Sequence, residues 1–146
     1  MEQKKKQAIK MFNNGYNCAQ AVLSAFAEDY GLNKSQYLKI AAVFGGGMAR
    51  QQSVCGSVTA SYMIIGLHFG DKLKKYSNAK EKLFSIVNDF NSEFSKKNES
   101  VICKEILGYD LKTEEGRIEI NKQNLFKIKC EKAIKTAIDI LDKILK

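Results

Sequence analysis

One apolar stripe constrains this chain more than any other feature. Near the C-terminus, Cys130, Ala133, Ile134, Ala137, Ile138, Leu141, Ile144 and Leu145 recur every three or four residues. That spacing lines side chains along one face of an α-helix. The same period returns through most of the sequence, and a strand-like alternation competes only weakly, at 117–120. Proline, which would interrupt helices, is absent. The expected fold is all-α: one domain over 1–146, a bundle of six or seven helices.

The pattern places most of these helices. The first covers 2–13, with Ile9 and Phe12 on one side. A second starts near Asn17, a natural cap, carries Cys18, Ala21, Val22, Ala25 and Phe26, and stops at Gly31. Ser35 is the expected cap of a third, carrying Leu38, Ile40, Ala41 and Phe44. Gly45, Gly46 and Gly47 then break the chain more strongly than any other segment. Residues 53–69 leave no wide polar face and predict a central buried helix, ended by Gly70-Asp71. Its small residues Gly56, Ser57, Ala60 and Ser61 form a strip that lets a neighbour approach closely. An amphipathic helix follows over 77–94, and Ser100 is placed to cap a short one ending at Gly108. Residues 109–121 are polar and predict the longest loop, before a last helix from about Asn124. The aromatics Phe26, Phe44, Phe84, Phe90 and Phe94 fall at helical spacing and are expected in the core.

The composition, 45% apolar and 27% charged, excludes disordered, collagen-like and low-complexity chains. The most apolar run, 62–69, is too short to cross a membrane, and the first residues lead into no signal-peptide core. A cytoplasmic location is the expectation. The net charge is +8, yet all but two of the 24 basic residues are lysines; Arg50 and Arg117 are the exceptions. The lysines are interleaved with acids, as in Glu131-Lys132, and no nucleic-acid-binding motif accompanies them. A solvated surface is the better reading, with no nucleic-acid partner expected.

The four cysteines, Cys18, Cys55, Cys103 and Cys130, carry the chemistry. Successive ones are separated by 36, 47 and 26 residues, so neither a zinc ribbon nor a C-x-x-C dithiol follows from spacing. Position on the helices says more. Cys18 follows the cap Asn17, Cys55 lies two after Ser53, and Cys103 lies three after Ser100. All three fall in a predicted first turn, where free N–H groups and the helix dipole favour a thiolate. Cys55 has the most favourable surroundings, with Arg50 just upstream; Cys130 sits on the buried stripe of the last helix. Against this stands inert packing, because free cysteine is often a buried hydrophobe.

Other candidates are weaker. Gly45-Gly46-Gly47 follows a helix, matches no nucleotide-binding pattern and reads as a tight connection. Its N–H groups, with Arg50, are candidates for holding a sulfur or an anion, and no nucleotide is expected. His68, the only histidine, is expected to bond local carbonyls at a helix end rather than a metal.

These pieces, in this order, resemble the C_GCAxxG_C_C family, named after its four cysteines. The matching segments are 15–20 around Cys18, Phe44 to Arg50, Val54 to Ala60, Val101 to Gly108, and the late Cys130. They span roughly 8–142. The central block departs from Cys-Gly-Ala-x-x-Gly at Ser57 and Ala60, both still small. The resemblance implies a redox role for the cysteines, including an iron–sulfur centre. Three readings stay open. Convergent cysteines would ligate an iron–sulfur cluster or exchange dithiol for disulfide, as an oxidoreductase or electron carrier with a redox partner protein. Alternatively they would hold a structural Zn²⁺ in an interaction module, or merely pack. The 77–94 helix leaves a homo-oligomer open.

Overall fold

The computed structural model describes residues 1–146. It is all-α, with eight right-handed helices: α1 (Glu2–Asn13), α2 (Cys18–Phe26), α3 (Lys34–Ile40), α4 (Gly56–Leu73), α5 (Ala79–Asn98), α6 (Cys103–Leu107), α7 (Glu114–Lys122) and α8 (Glu131–Ile144). Single turns of tighter and wider helix extend two of them, Ala27–Tyr30 after α2 and Phe126–Cys130 before α8.

The N-terminal half of α4 is the centre. Every residue from Gly56 to Ser61 is buried, and the helix packs on α2, α5 and α8. Its first turn nearly touches α2: a Cβ on Gly56 would lie 2.5 Å from Cys18 Sγ and 3.1 Å from Ala19 N. The small-residue strip is what permits this approach. Around it, 25 buried residues form one core, to which α8 contributes Ala133, Ile134, Ala137, Ile138, Ile140 and Leu141. A smaller cluster of Cys103, Leu107, Ile120 and Leu125 joins α6, α7 and the approach to α8. No helix is long and apolar enough to cross a membrane.

Several local expectations are corrected. Asn33, not Ser35, caps α3, through a reciprocal bond pair with Gln36; the helix stops at Ile40, before Phe44. Gly70 does not end α4, which continues to Leu73 with its far half at the surface, Leu67 being 41% exposed. Glycine inside an exposed helix weakens it by only about 1 kcal/mol, too little to stop a helix already nucleated in the core. Phe84 is 57% exposed on α5 and not core, whereas Phe90 and Phe94 are fully buried. Ser100 lies outside α6, accepting a bond from Ile102 N and donating to Glu105.

The supposed loop 109–121 contains α7, the helix that brings the count to eight, and no strand forms at 117–120. Thr113 caps it by accepting from Gly116 N. Gly116 sits close against the Asp110 carbonyl, so this glycine is a packing contact and not a break.

Candidate functional site

Cys18 opens α2 behind a complete capping box. Asn17 accepts from Gln20 N at 2.8 Å, and Gln20 accepts from Asn17 N at 2.9 Å. The remaining Asn17 amide protons go to the carbonyls of Ala41 and Ala42, tying the end of α3 to this turn. Cys55 is the cap residue of α4, and Cys103 is the first residue of α6.

A short extended pairing sets Cys55 beside Cys103. Val54 and Ile102 form an antiparallel bridge; Cys55 N donates to Val101 O at 2.8 Å, and Cys103 N donates to Ser53 O at 2.7 Å. Two residues of sequence at each helix entrance are too few for any strand period to announce this.

The glycine connection closes the site from the other side. Residues 46–50 all have positive φ, between 55° and 68°, and Gln52 joins them at 54°. Four of these six are not glycine, and each such residue costs about 1–2 kcal/mol in this conformation. The turn is held by Arg50 N donating to Gly45 O, Gln52 N to Gly46 O, and Ser53 N to Gly47 O. Strain of this kind gathers where a site demands one backbone path. Here the path aims the Gly46 amide at Cys18 and packs Gly47 so tightly that a Cβ there would stand 2.7 Å from Cys103 Cβ. Gln52, buried inside the turn, accepts from Leu111 N and donates to Tyr109 O, pinning the segment after α6 over the site.

The result is a half-open cavity of about 550 Å³, lined by all four cysteines, with Gly45, Gly46, Gly47 and Arg50 also in its wall. All four cysteines are free thiols; Cys18, Cys55 and Cys103 are buried, and Cys130 is half-buried. Among the four, Cys18 and Cys55 act on each other most strongly. The Cys55 thiol donates to Cys18, and the amides of Gly46, Ala19 and Gly56 add their N–H groups, while burial opposes the charge. The net effect lowers Cys18 to about 7 from an ordinary 9.0. Hydrogen bonds to the charged form thus outweigh desolvation.

The other thiols move the opposite way. Donation to Cys18, burial and the Cys18 charge drive Cys55 well up, against one amide from Ser57. Burial first, then the Cys18 charge, pushes Cys103 up to about 12, and Cys130 rises for the same reasons with Cys103 added. The expectation that Cys55 has the surroundings most favourable to a thiolate is therefore corrected in favour of Cys18. Arg50 does not bear on Cys55; its side chain runs over Gly46, and three amides converge on Cys18 instead.

No three His, Cys, Asp or Glu side chains come close enough together to hold one metal ion. The thiols line a wall and do not meet at a point, so as they stand they do not fit a single tetrahedral Zn²⁺. His68 is remote: Nδ1 pairs with the Tyr30 hydroxyl at 2.8 Å and Nε2 with Lys72 Nζ at 3.0 Å, so its partners are side chains and not the expected carbonyls. Gln52 escaped the sequence reading, and Ser57 entered it only as a small packing residue. Ser57 stands in the cavity wall, and its hydroxyl is fully buried with no hydrogen-bond partner.

Residues 16–144 match the model of the family described as "Putative redox-active protein (C_GCAxxG_C_C)". The chain belongs to this family. No curated protein and no solved structure matches it. In this C_GCAxxG_C_C protein the spaces around Gly56 and the glycine connection explain why small residues stand beside the cysteines: both bring backbone amides within reach of Cys18.

Proposed function

We propose that this protein is a thiol redox protein that exchanges dithiol for disulfide at Cys18 and Cys55. One feature carries the reading: Cys18, brought to about 7 by Cys55 and three backbone amides, shares a cavity with Cys55, whose thiol is held protonated. A thiolate near neutral pH beside a protonated thiol is the arrangement that thiol–disulfide exchange requires.

The Cys18 thiolate attacks one sulfur of an incoming disulfide. A Cys18–substrate S–S bond forms, the substrate S–S bond breaks, and the first substrate thiolate leaves. That thiolate takes the Cys55 proton. The Cys55 thiolate then attacks the Cys18 sulfur, forming Cys18–Cys55 and releasing the second substrate sulfur, which is protonated from water. Two electrons pass from the pair to the substrate. Cys103 and Cys130, held protonated by burial, stay thiols through this step.

A second reading is favoured by a different observation, that all four thiols share one cavity. An iron–sulfur cluster spreads its ligands over several irons, and Cys18, Cys55, Cys103 and Cys130 would be those ligands, supplying one-electron transfer. Equilibration of the reduced protein against thiol–disulfide buffers tests the first. Two thiols per chain should disappear in one two-electron transition, and Cys55→Ala should abolish it. Four thiols persisting across the whole range would overturn the exchange reading.

A further inference from the structure

A second cleft, of about 510 Å³, opens beside the cysteine cavity and shares Ala49, Arg50, Leu111 and Phe126 with it. The two clefts adjoin along this shared wall, as two arms of one surface. Its second arm has unusual chemistry for this chain. The sequence contains only two arginines among its 24 basic residues, and both Arg50 and Arg117 line this arm, with Lys112 and no carboxylate. None of the three belongs to any of the chain's ion pairs. The nearby acid Asp110 is already engaged by the Lys104 ammonium and the Lys112 amide.

The fold sets the Arg117 guanidinium in place and directs the stem of Arg50. Arg117 Nη1 donates to Leu111 O at 2.9 Å, at the junction of the two arms. Arg50 leaves the left-handed turn across Gly46, where a Cβ would stand 2.9 Å from Arg50 Cγ. Two uncompensated guanidinium forks in a cleft select planar oxyanions, carboxylates above all. The cysteine arm is largely apolar and carries the four thiols. Each arm lies within the range of small-ligand pockets.

We infer that the substrate is a small disulfide bearing carboxylates, its sulfurs in the cysteine arm and its carboxylates on Arg50 and Arg117. The inference rests on the dithiol–disulfide reading and gives its substrate class. The electron balance is that of the exchange above: one disulfide is reduced to two carboxylate-bearing thiols, and Cys18–Cys55 is oxidised.

The test compares three disulfides of similar size: dithiodipropionate, which is anionic, hydroxyethyl disulfide, which is neutral, and cystamine, which is cationic. Rate constants for oxidation of the reduced protein are divided by those for a free thiol with the same reagent. The corrected rate should be at least about tenfold higher for the anionic than for the neutral reagent, the low end of electrostatic steering, and lowest for the cation. Arg50→Gln should lower that preference, and Arg50→Gln with Arg117→Gln should abolish it. Equal corrected rates for all three reagents would overturn the inference.

Thiodipropionate, a thioether that cannot exchange, separates the two claims by calorimetry. Its binding should weaken by about tenfold in Arg50→Gln, the effect of one charged hydrogen bond, and recover partly in Arg50→Lys. Binding without any exchange would remove the redox reading and leave the oxyanion arm. Exchange with no anion preference and no thioether binding would do the reverse.

Discussion

Replacing Cys55 with Ala removes the donor that most favours the Cys18 thiolate. In the wild type Cys18 is held at about 7 against an ordinary 9.0, although burial pushes the other way. At pH 7 about half of Cys18 is then thiolate, whereas a thiol at its ordinary value is about 1% ionised. Without the Cys55 S–H, only the amides of Gly46, Ala19 and Gly56 oppose the desolvation. The pKa must rise, and reactivity at pH 7 should fall by about one to two orders of magnitude. Cys55→Ser keeps a hydroxyl donor in nearly the same place and should fall much less. The assay is iodoacetamide labelling of Cys18, read by peptide mass spectrometry from roughly pH 5 to 10. The wild-type midpoint should lie near 7, the Ser variant close to it, and the Ala variant above about 8.5. An Ala variant with native helical content and an unmoved midpoint would refute the reasoning, because the amides alone would then hold the charge.

The remaining predictions concern stability and cofactor content. The folded pKa of Cys18 lies below its unfolded value, so its contribution is full above pH 9.0 and lost as pH falls through about 7. Cys103 is raised to about 12, so its contribution is full below pH 9.0 and lost as pH rises towards 12. Urea unfolding should show stability rising with pH up to about 9, then falling, with Cys103→Ala lowering the alkaline slope by about 1.4 kcal/mol per pH unit. Gly56→Ala forces a methyl to within 2.5 Å of Cys18 Sγ and 2.9 Å of Phe44 O. It should destabilise the fold by about 1–3 kcal/mol, seen as a lower urea midpoint, and part Cys18 from its amides, seen as a raised labelling midpoint. Protein purified without oxygen should be brown and contain iron if the cluster reading holds; colourless, iron-free protein that still passes through the two-electron thiol transition supports exchange instead.

How much of this was legible beforehand depended on the range of the signal. The α8 stripe and the capping signal at Asn17 are local patterns, and both helices stand where those patterns put them. Cys18, Cys55 and Cys103 at helix entrances were readable for the same reason. The helix α7 was hidden because polar residues and Gly116 imitate a loop, while the burial of Ile120 that stabilises it is tertiary. The identity of the thiolate was hidden too. Sequence proximity put Arg50 near Cys55, but the left-handed turn lays the Arg50 stem over Gly46 and brings the Gly46 amide to Cys18. Five successive positive φ values, two of them at glycine, leave no such mark in composition. The Val54–Ile102 bridge likewise joins segments far apart in sequence, and Gln52 acts through a buried side chain that no motif singles out.

The order in which the thiols oxidise tests the central claim most directly. The fully reduced protein is mixed with one equivalent of a disulfide, quenched in acid, alkylated and mapped by peptide mass spectrometry. The first cross-link should be Cys18–Cys55, with Cys103 and Cys130 both alkylated. A first cross-link between Cys103 and Cys130, or four alkylated cysteines after complete consumption of the reagent, would contradict it.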